Sequence, residues 1–140
     1  MAGIGEAANV IAVIQISGKI LSFCSEYYSK VKSVRKDIER LQGEVKSLNN
    51  VLNKVRELLE GPKAARLPAS NTLVERIKQC ISELEGLRNK LDPGKGQKTM
   101  RGRLFRTLKW PFTSEDVDKS IIMLNRQKEA LHLALSIDQT

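Results

Sequence analysis

The side chains able to do chemistry are few and scattered in this 140-residue chain. Its single histidine, His132, has no evident cluster of partners, and a lone imidazole supplies neither a metal-ligand set nor a catalytic triad. Cys24 and Cys80 each fall inside an apolar helical pattern. They read as two small core residues in a reducing compartment, since a secreted domain this small usually carries more cysteines. The stretch "DPGKGQKT", residues 92–99, has the flavour of a phosphate loop. That loop needs glycine before its Lys-Thr pair, where Gln97 stands, and it needs a preceding strand, where the pattern is helical. The sequence therefore predicts no catalytic residue, no metal, no cofactor and no enzyme activity.

Charge is the other resource for chemistry. The net charge is +8, and six of the basic residues, Lys95, Lys98, Arg101, Arg103, Arg106 and Lys109, fall between positions 93 and 112, where there is no acidic residue. Phe105 and Trp110 lie among them. The plain reading is the solvated face of a short helix. The functional reading is a site for anionic lipid headgroups, where each charge contributes about 1 kcal/mol, less at high salt. Phosphates of nucleic acid would use the same charges, but no recognition helix of a known motif accompanies them, so lipid is the expected partner and nucleic acid is not.

These groups must be held by helices. From Ile20 the apolar positions run Ile20, Cys24, Tyr27, Val31, Val34, Ile38, Leu41, Val45, Leu48, Leu52, Val55 and Leu59, alternating four and three without a slip. That spacing predicts helix packed on helix. A single rod over residues 4–60 would be about 85 Å long at 1.5 Å per residue, too long for one small domain, so a hairpin is expected. Its break is weakly signalled: Ser33 is the candidate cap of the second helix, with Asp37 and Glu39 in its first turns. Gly61-Pro62 ends the hairpin. Thr72 and Glu75 have the spacing of a capping box, and Ile77, Cys80, Leu84, Leu87 and Leu91 continue as a stripe. Met100, Leu104, Phe105 and Leu108 fit a short helix that Pro111 stops. Thr113 and Asp116 form a second capping box, with Phe112 and Val117 placed as a hydrophobic staple. No period-two strand appears.

The predicted fold is all-α, a bundle of four long helices plus one short helix in a single domain over residues 1–140. Its parts are a long hairpin at 3–60, a loop at 61–71, a helix at 72–92, a basic linker with a short helix at 93–110, and a last helix at 113–138. No basic stretch precedes residues 4–23, so no secretory signal is expected, and glycine at position 3 does not fit the myristoylation pattern.

The opening stretch, "IGEAANVIAVIQISGKILSF", is the least charged of the chain, with Glu6 and Lys19 alone in twenty residues. At 100° per residue its polar groups do not gather: Gln15, Lys19 and Ser22 lie on one side, and Glu6, Asn9 and Ser17 roughly opposite. A helix apolar nearly all round is buried in protein or in a membrane. Twenty residues span about 30 Å, the thickness of a hydrocarbon core, yet a lysine at the bilayer centre costs about 2.5–3.5 kcal/mol. Two accounts stand. The helix is the central core element of a soluble bundle, which the pattern by itself favours, or it is buried at rest and moves to a bilayer once several copies shelter its polar groups. Ala8 and Ala12 have the spacing that lets membrane helices approach closely.

The segment "AANVIAVIQISGKILSFCSEYYSKVKSVRKDIERLQGEV", a loop rich in proline and glycine, and "LKWPFTSEDVDKSIIMLNRQKEALHLALSID" follow one another in an order that resembles the N-terminal domain of fungal NLR-like STAND proteins, the HeLo-like group. The resemblance covers nearly the whole chain and is strongest at "VIAVIQ" with "GK" and at "LKWPF". It implies a cytoplasmic signalling module that relocates to the plasma membrane on activation. In that family the module precedes a nucleotide-binding oligomerisation domain and a repeat sensor, neither of which lies in these residues. Its helical bundle is similar to those of the necroptosis pseudokinase and of plant NLR death domains. The resemblance further implies regulated cell death through membrane attack by the first helix, with Ile4, Val10, Ile11, Val13, Ile14 and Ile16 inserting and Glu6 lining a cation-favouring pore. The implied partners are anionic membrane lipids, further copies of the chain on activation, and an NLR-type activator. The alternative implied role is a soluble adaptor acting by homotypic or heterotypic helix packing.

Overall fold

The 4-3 apolar seam does fold into a hairpin. The computed structural model describes residues 2–60, 71–92 and 109–139, with side chains over 8–60, 73–92 and 109–134. Four helices fill these stretches: α1 (Ala2–Lys30), α2 (Arg35–Glu60), α3 (Asn71–Leu91) and α4 (Ser114–Gln139). No strand occurs among the described residues. The fold is all-α, as the sequence predicts. The expected short helix falls mostly on residues 93–108, outside the described residues, while Lys109 and Trp110 at its far end are not helical. The one short element described is a 3₁₀ turn, Lys32–Val34, between α1 and α2.

That turn lies where the break was expected, but its chemistry differs. Ser33 sits inside the turn rather than capping α2, which starts at Arg35. The Val31 amide still donates to Tyr27 O at 2.7 Å, closing the last turn of α1, while the Val31 backbone is extended. Arg35 reaches back to the end of α1: its Nε donates to Tyr28 O at 3.1 Å and its guanidinium stacks 4.8 Å from the Tyr28 ring centroid. A cation bonded to an orphan carbonyl at a helix C-terminus is favourable twice, by hydrogen bond and by dipole. Tyr28 Oη in turn donates to Glu39 Oε1 at 2.9 Å, tying α1 to the second turn of α2. Of the twelve seam positions, all are buried except Val31 and Val34, the two at the bend, which are half-buried.

Three contacts fix the directions of the helices. Tyr27 Oη donates to Leu91 O at 2.7 Å, so α1 and α3 end side by side and run parallel. Ser114 Oγ donates to Asp37 Oδ2 at 2.7 Å and Lys128 Nζ to Ser47 Oγ at 3.1 Å, so α2 and α4 also run parallel. Arg40, paired with both Asp37 and Asp118, adds a third tie between α2 and α4. Helix α1 packs on α2 and α3, and α4 packs on the same two; α1 faces α4, and α2 faces α3, across the bundle. The core runs down the middle, with Leu73, Ile77, Cys80, Leu84, Leu87 and Leu91 lining it from α3.

The entry to α4 is built as the sequence predicts. The Thr113 amide donates to Asp116 Oδ2 at 2.9 Å and the Asp116 amide donates to Thr113 Oγ1 at 3.0 Å, a reciprocal capping box. The Thr113 amide bonded to the carboxylate, helped by the Thr113 hydroxyl, holds Asp116 below the usual range for an aspartate. Phe112 packs against the core beside a fully buried Val117. Trp110 stands edge-on between Tyr27 (ring centroids 5.1 Å apart) and Phe112 (5.3 Å), an arrangement aromatic quadrupoles favour. The start of α4 is thereby locked to the end of α1. Replacing Thr113 by alanine is expected to lower stability by about 1 kcal/mol, read as a lower urea midpoint at unchanged slope, with helix content by circular dichroism retained at zero urea.

Candidate functional site

Helix α1 carries the residues to which a function was assigned, and its surroundings sort them. Val10 and Val13 are fully buried (0% exposed) and Ile16 nearly so (7%), all three in the core that α1 shares with α2 and α3. Ile14 is half-buried against that core, and Ile11 points to solvent at 37% exposure. The side chains of Ile4 and Glu6 lie outside the described residues, although their backbone belongs to α1. The five of the six expected inserting residues whose side chains are described therefore do not share a face. The period of the helix turns three of them inward, one outward and one to the flank.

The two groups of polar residues that failed to gather on one side are also explained. Gln15, Lys19 and Ser22 are exposed, with Lys19 Nζ 5.3 Å from the Phe23 ring centroid. Ser17 lies on the opposite side, fully buried. It is satisfied there: Ser17 Oγ donates to Ile14 O at 2.7 Å and accepts from Asn49 Nδ2 at 2.7 Å. Asn53 Nδ2 in turn donates to Asn49 Oδ1 at 2.9 Å and to Asn49 O at 3.0 Å. A buried hydroxyl without such partners costs about 1–3 kcal/mol, so this relay fixes the register of α1 on α2. Sequence reasoning missed it. The available signal was Asn49 and Asn53, four apart and each one residue past a seam leucine.

The outer surface of α1 is unusual for a bundle helix. Its exposed residues after residue 7 are Ala8, Ile11, Gln15, Gly18, Lys19, Ser22, Ser25, Ser29 and Lys30, and Glu26 keeps 42% of its side chain in solvent beside Lys30, so Lys19 is the single exposed charge over 8–25. The exposed residues of α2 include Lys36, Glu39, Arg40, Lys46, Lys54, Glu57 and Glu60. The Ala8–Lys30 stretch is long and apolar enough to cross a membrane, and less than half of it is buried inside the bundle; the core helix of a soluble protein passes the same test.

The basic set is mostly beyond reach: Lys95, Lys98, Arg101, Arg103 and Arg106 lie outside the described residues, and Lys109 is exposed, immediately before the Trp110 that packs on Tyr27. His132 is exposed on α4, and among the described residues no group of three or more His, Cys, Asp or Glu is placed to hold a metal. Both cysteines are free and buried. Burial pushes the thiols of Cys24 and Cys80 up to about 12, with Glu83 adding to the rise at Cys80. Comparison with protein-family models, with curated proteins and with solved structures finds no match.

Two outcomes are expected. Val13→Ala should cost about 2 kcal/mol of stability through lost burial and a residual cavity, whereas Ile11→Ala should change it by less than about 0.5 kcal/mol, both read by chemical denaturation. The thiols also make stability pH-dependent. Each is raised in the folded state, so its contribution is complete below the unfolded value near 9 and is lost as pH climbs toward 12. The loss is about 1.4 kcal/mol per thiol for each pH unit in that window. A Cys24→Ala, Cys80→Ala double variant should show a flatter decline between pH 9 and pH 10.5 than the parent.

Proposed function

We propose that this chain is a membrane-targeting effector domain whose first helix is stored in a bundle and delivered to an anionic bilayer on activation, as its resemblance to HeLo-like cell-death domains implies. The reading rests on the outer surface of α1. A helix meant only for a soluble bundle profits from charge on its solvent face, as α2 has. Over residues 8–25 α1 instead presents alanine, isoleucine, glutamine, glycine and serine with one lysine, its other exposed charges, Glu26 and Lys30, lying in the last turns, and its apolar length matches a hydrocarbon core.

In this proposal the domain rests in the cytoplasm and is recruited to the plasma membrane by an NLR-type activator and by the basic segment, which includes the short fifth helix expected within 93–110. Ile4, Val10, Ile11, Val13, Ile14 and Ile16 enter the bilayer, and several copies assemble so that Glu6 faces a shared lumen. Storage demands a trigger. Withdrawing Val10, Val13 and Ile16 from the core costs about 5–9 kcal/mol at 1.5–3 kcal/mol each, a large part of the 5–15 kcal/mol that holds a typical domain together.

A second reading is a soluble helical adaptor without enzyme activity. It is favoured by Ile122 (53% exposed) and Leu133 (64%) on α4. Eleven residues is close to three helical turns, so the two lie nearly on one line of the outer surface.

Dye leakage from phosphatidylglycerol-containing vesicles separates the two. Val13→Ala, which loosens α1, should raise leakage above the parent, and adding Ile11→Glu should abolish it without unfolding the bundle, because Ile11 is on the outside. No leakage at any protein concentration, together with specific dimerisation lost on Leu133→Glu, would establish the adaptor instead. Salt-sensitive binding to duplex DNA stronger than to vesicles would overturn both.

A further inference from the structure

Helix α1 is not held evenly along its length. Above residue 20 it has Ile20, Phe23, Cys24 and Tyr27 in the core. The same part is tied by Tyr27 Oη to Leu91 O, by Tyr28 Oη to Glu39, by the Arg35 bond to Tyr28 O, and by Gln42 Nε2 donating to Ser25 Oγ at 3.2 Å. Below Ser17 the described attachments are Val10, Val13 and Ile16 alone, with Ile14 at the flank. Between the two parts stand Ser17 and Gly18. Ser17 Oγ bonds back to Ile14 O, three residues earlier, the pattern by which serine competes with the helical ladder and bends helices. Gly18 is the residue least able to resist a break, after proline, and no packing calls for it, since a Cβ built there meets nothing within 4 Å. Gly43 and Gly86 are equally open, but neither follows a serine that bonds back into its own helix. Serine–glycine pairs are where helices kink.

We propose that Ser17–Gly18 is a joint in α1, at which the arm formed by residues 2–16 swings off the bundle while Ser17, clasped by Asn49, keeps the remainder docked. The arm is about 22 Å long at 1.5 Å per residue, too short to cross a hydrocarbon core of about 30 Å. It would seat in the headgroup region, and full spanning would need the Ser17–Asn49 clasp to open as a second step. This deepens the membrane reading by dividing delivery of α1 in two, but the joint is a property of the resting bundle and is tested without lipid, so either can fail while the other stands.

The two native thiols report on the two parts. α1 and α3 run parallel with Tyr27 beside Leu91, and Cys80 lies eleven residues before Leu91, about 16 Å down the bundle. That places Cys80 level with Ile16, the last residue of the arm, whereas Cys24 is above the joint. Both are fully buried at rest. With a maleimide under native conditions at pH 7.5, Cys80 should label at least about tenfold faster than Cys24. Amides of residues 10–16 should likewise exchange with deuterium about tenfold faster than those of 20–27. Gly18→Ala should slow Cys80 labelling about fivefold, the helix-propensity difference expressed as a rate, and leave Cys24 unchanged. Asn49→Ala should bring the Cys24 rate toward that of Cys80; should it perturb the bundle by circular dichroism, Asn49→Ser serves in its place. Equal labelling of the two thiols in the parent, or no effect of Gly18→Ala on Cys80, would overturn the joint. A Cys24 that stays protected in the Asn49 variant would overturn the clasp.

Discussion

One line of side chains along α1, from Val10 through Val13, Ile16, Ile20 and Phe23 to Tyr27, organises this molecule. It lies along the core of the bundle, covered by the buried apolar side chains of the neighbouring helices. Helices α2 and α3 flank it, and α4 closes the far side against the same two neighbours. Once that line is fixed, a helix with 3.6 residues per turn has no choice about the rest: Ile11, Gln15 and Ser22 face outward, whatever their polarity. The apolar character of the outer surface follows from sequence, and its exposure follows from packing.

The joins between helices divide by chemistry. α2 and α4 are stitched by polar contacts along their length, Asp37 with Ser114, Arg40 with Asp118 and Ser47 with Lys128. The one exposed ion pair among them, Arg40–Asp118, is worth little energy, commonly under about 1 kcal/mol, but directional contacts favour one register over its neighbours. The lower half of α1 is held by burial and by one hydrogen-bonded relay through Asn49. Burial is strong but not directional. A segment so held can exchange one apolar environment for another at small net cost, whereas a segment held by matched polar partners would leave unpaired groups behind. That contrast makes α1, and not α4, the mobile candidate.

At the upper end of the bundle α1 is tied by matched partners as well. Tyr27, Trp110 and Phe112 form an edge-to-face ladder, and Tyr27 also bonds the last carbonyl of α3. One residue of α1 thus binds the ends of two other elements, and Lys109, the last of the basic set, directly precedes the ladder.

Much of this was legible in the sequence. The 4-3 spacing from Ile20 to Leu59 identified the buried positions almost without error, because burial in a bundle selects by helical period alone, and the Thr113–Asp116 box marked the start of α4 because capping is a local interaction. The hairpin bend was hardly visible for the same reason: the seam passes through Val31 and Val34 without losing phase, so the sequence needed no irregularity to turn. What only the tertiary structure decided was phase in space and pairing at a distance. The sequence by itself made α1 apolar on all sides; it took the neighbouring helices to turn Val10 and Val13 inward and Ile11 outward. Residues 32 positions apart, Ser17 and Asn49, were joined because α2 folds back along α1 in a register that sets the Asn49 amide against the buried hydroxyl, and no local pattern encodes a partner on another helix.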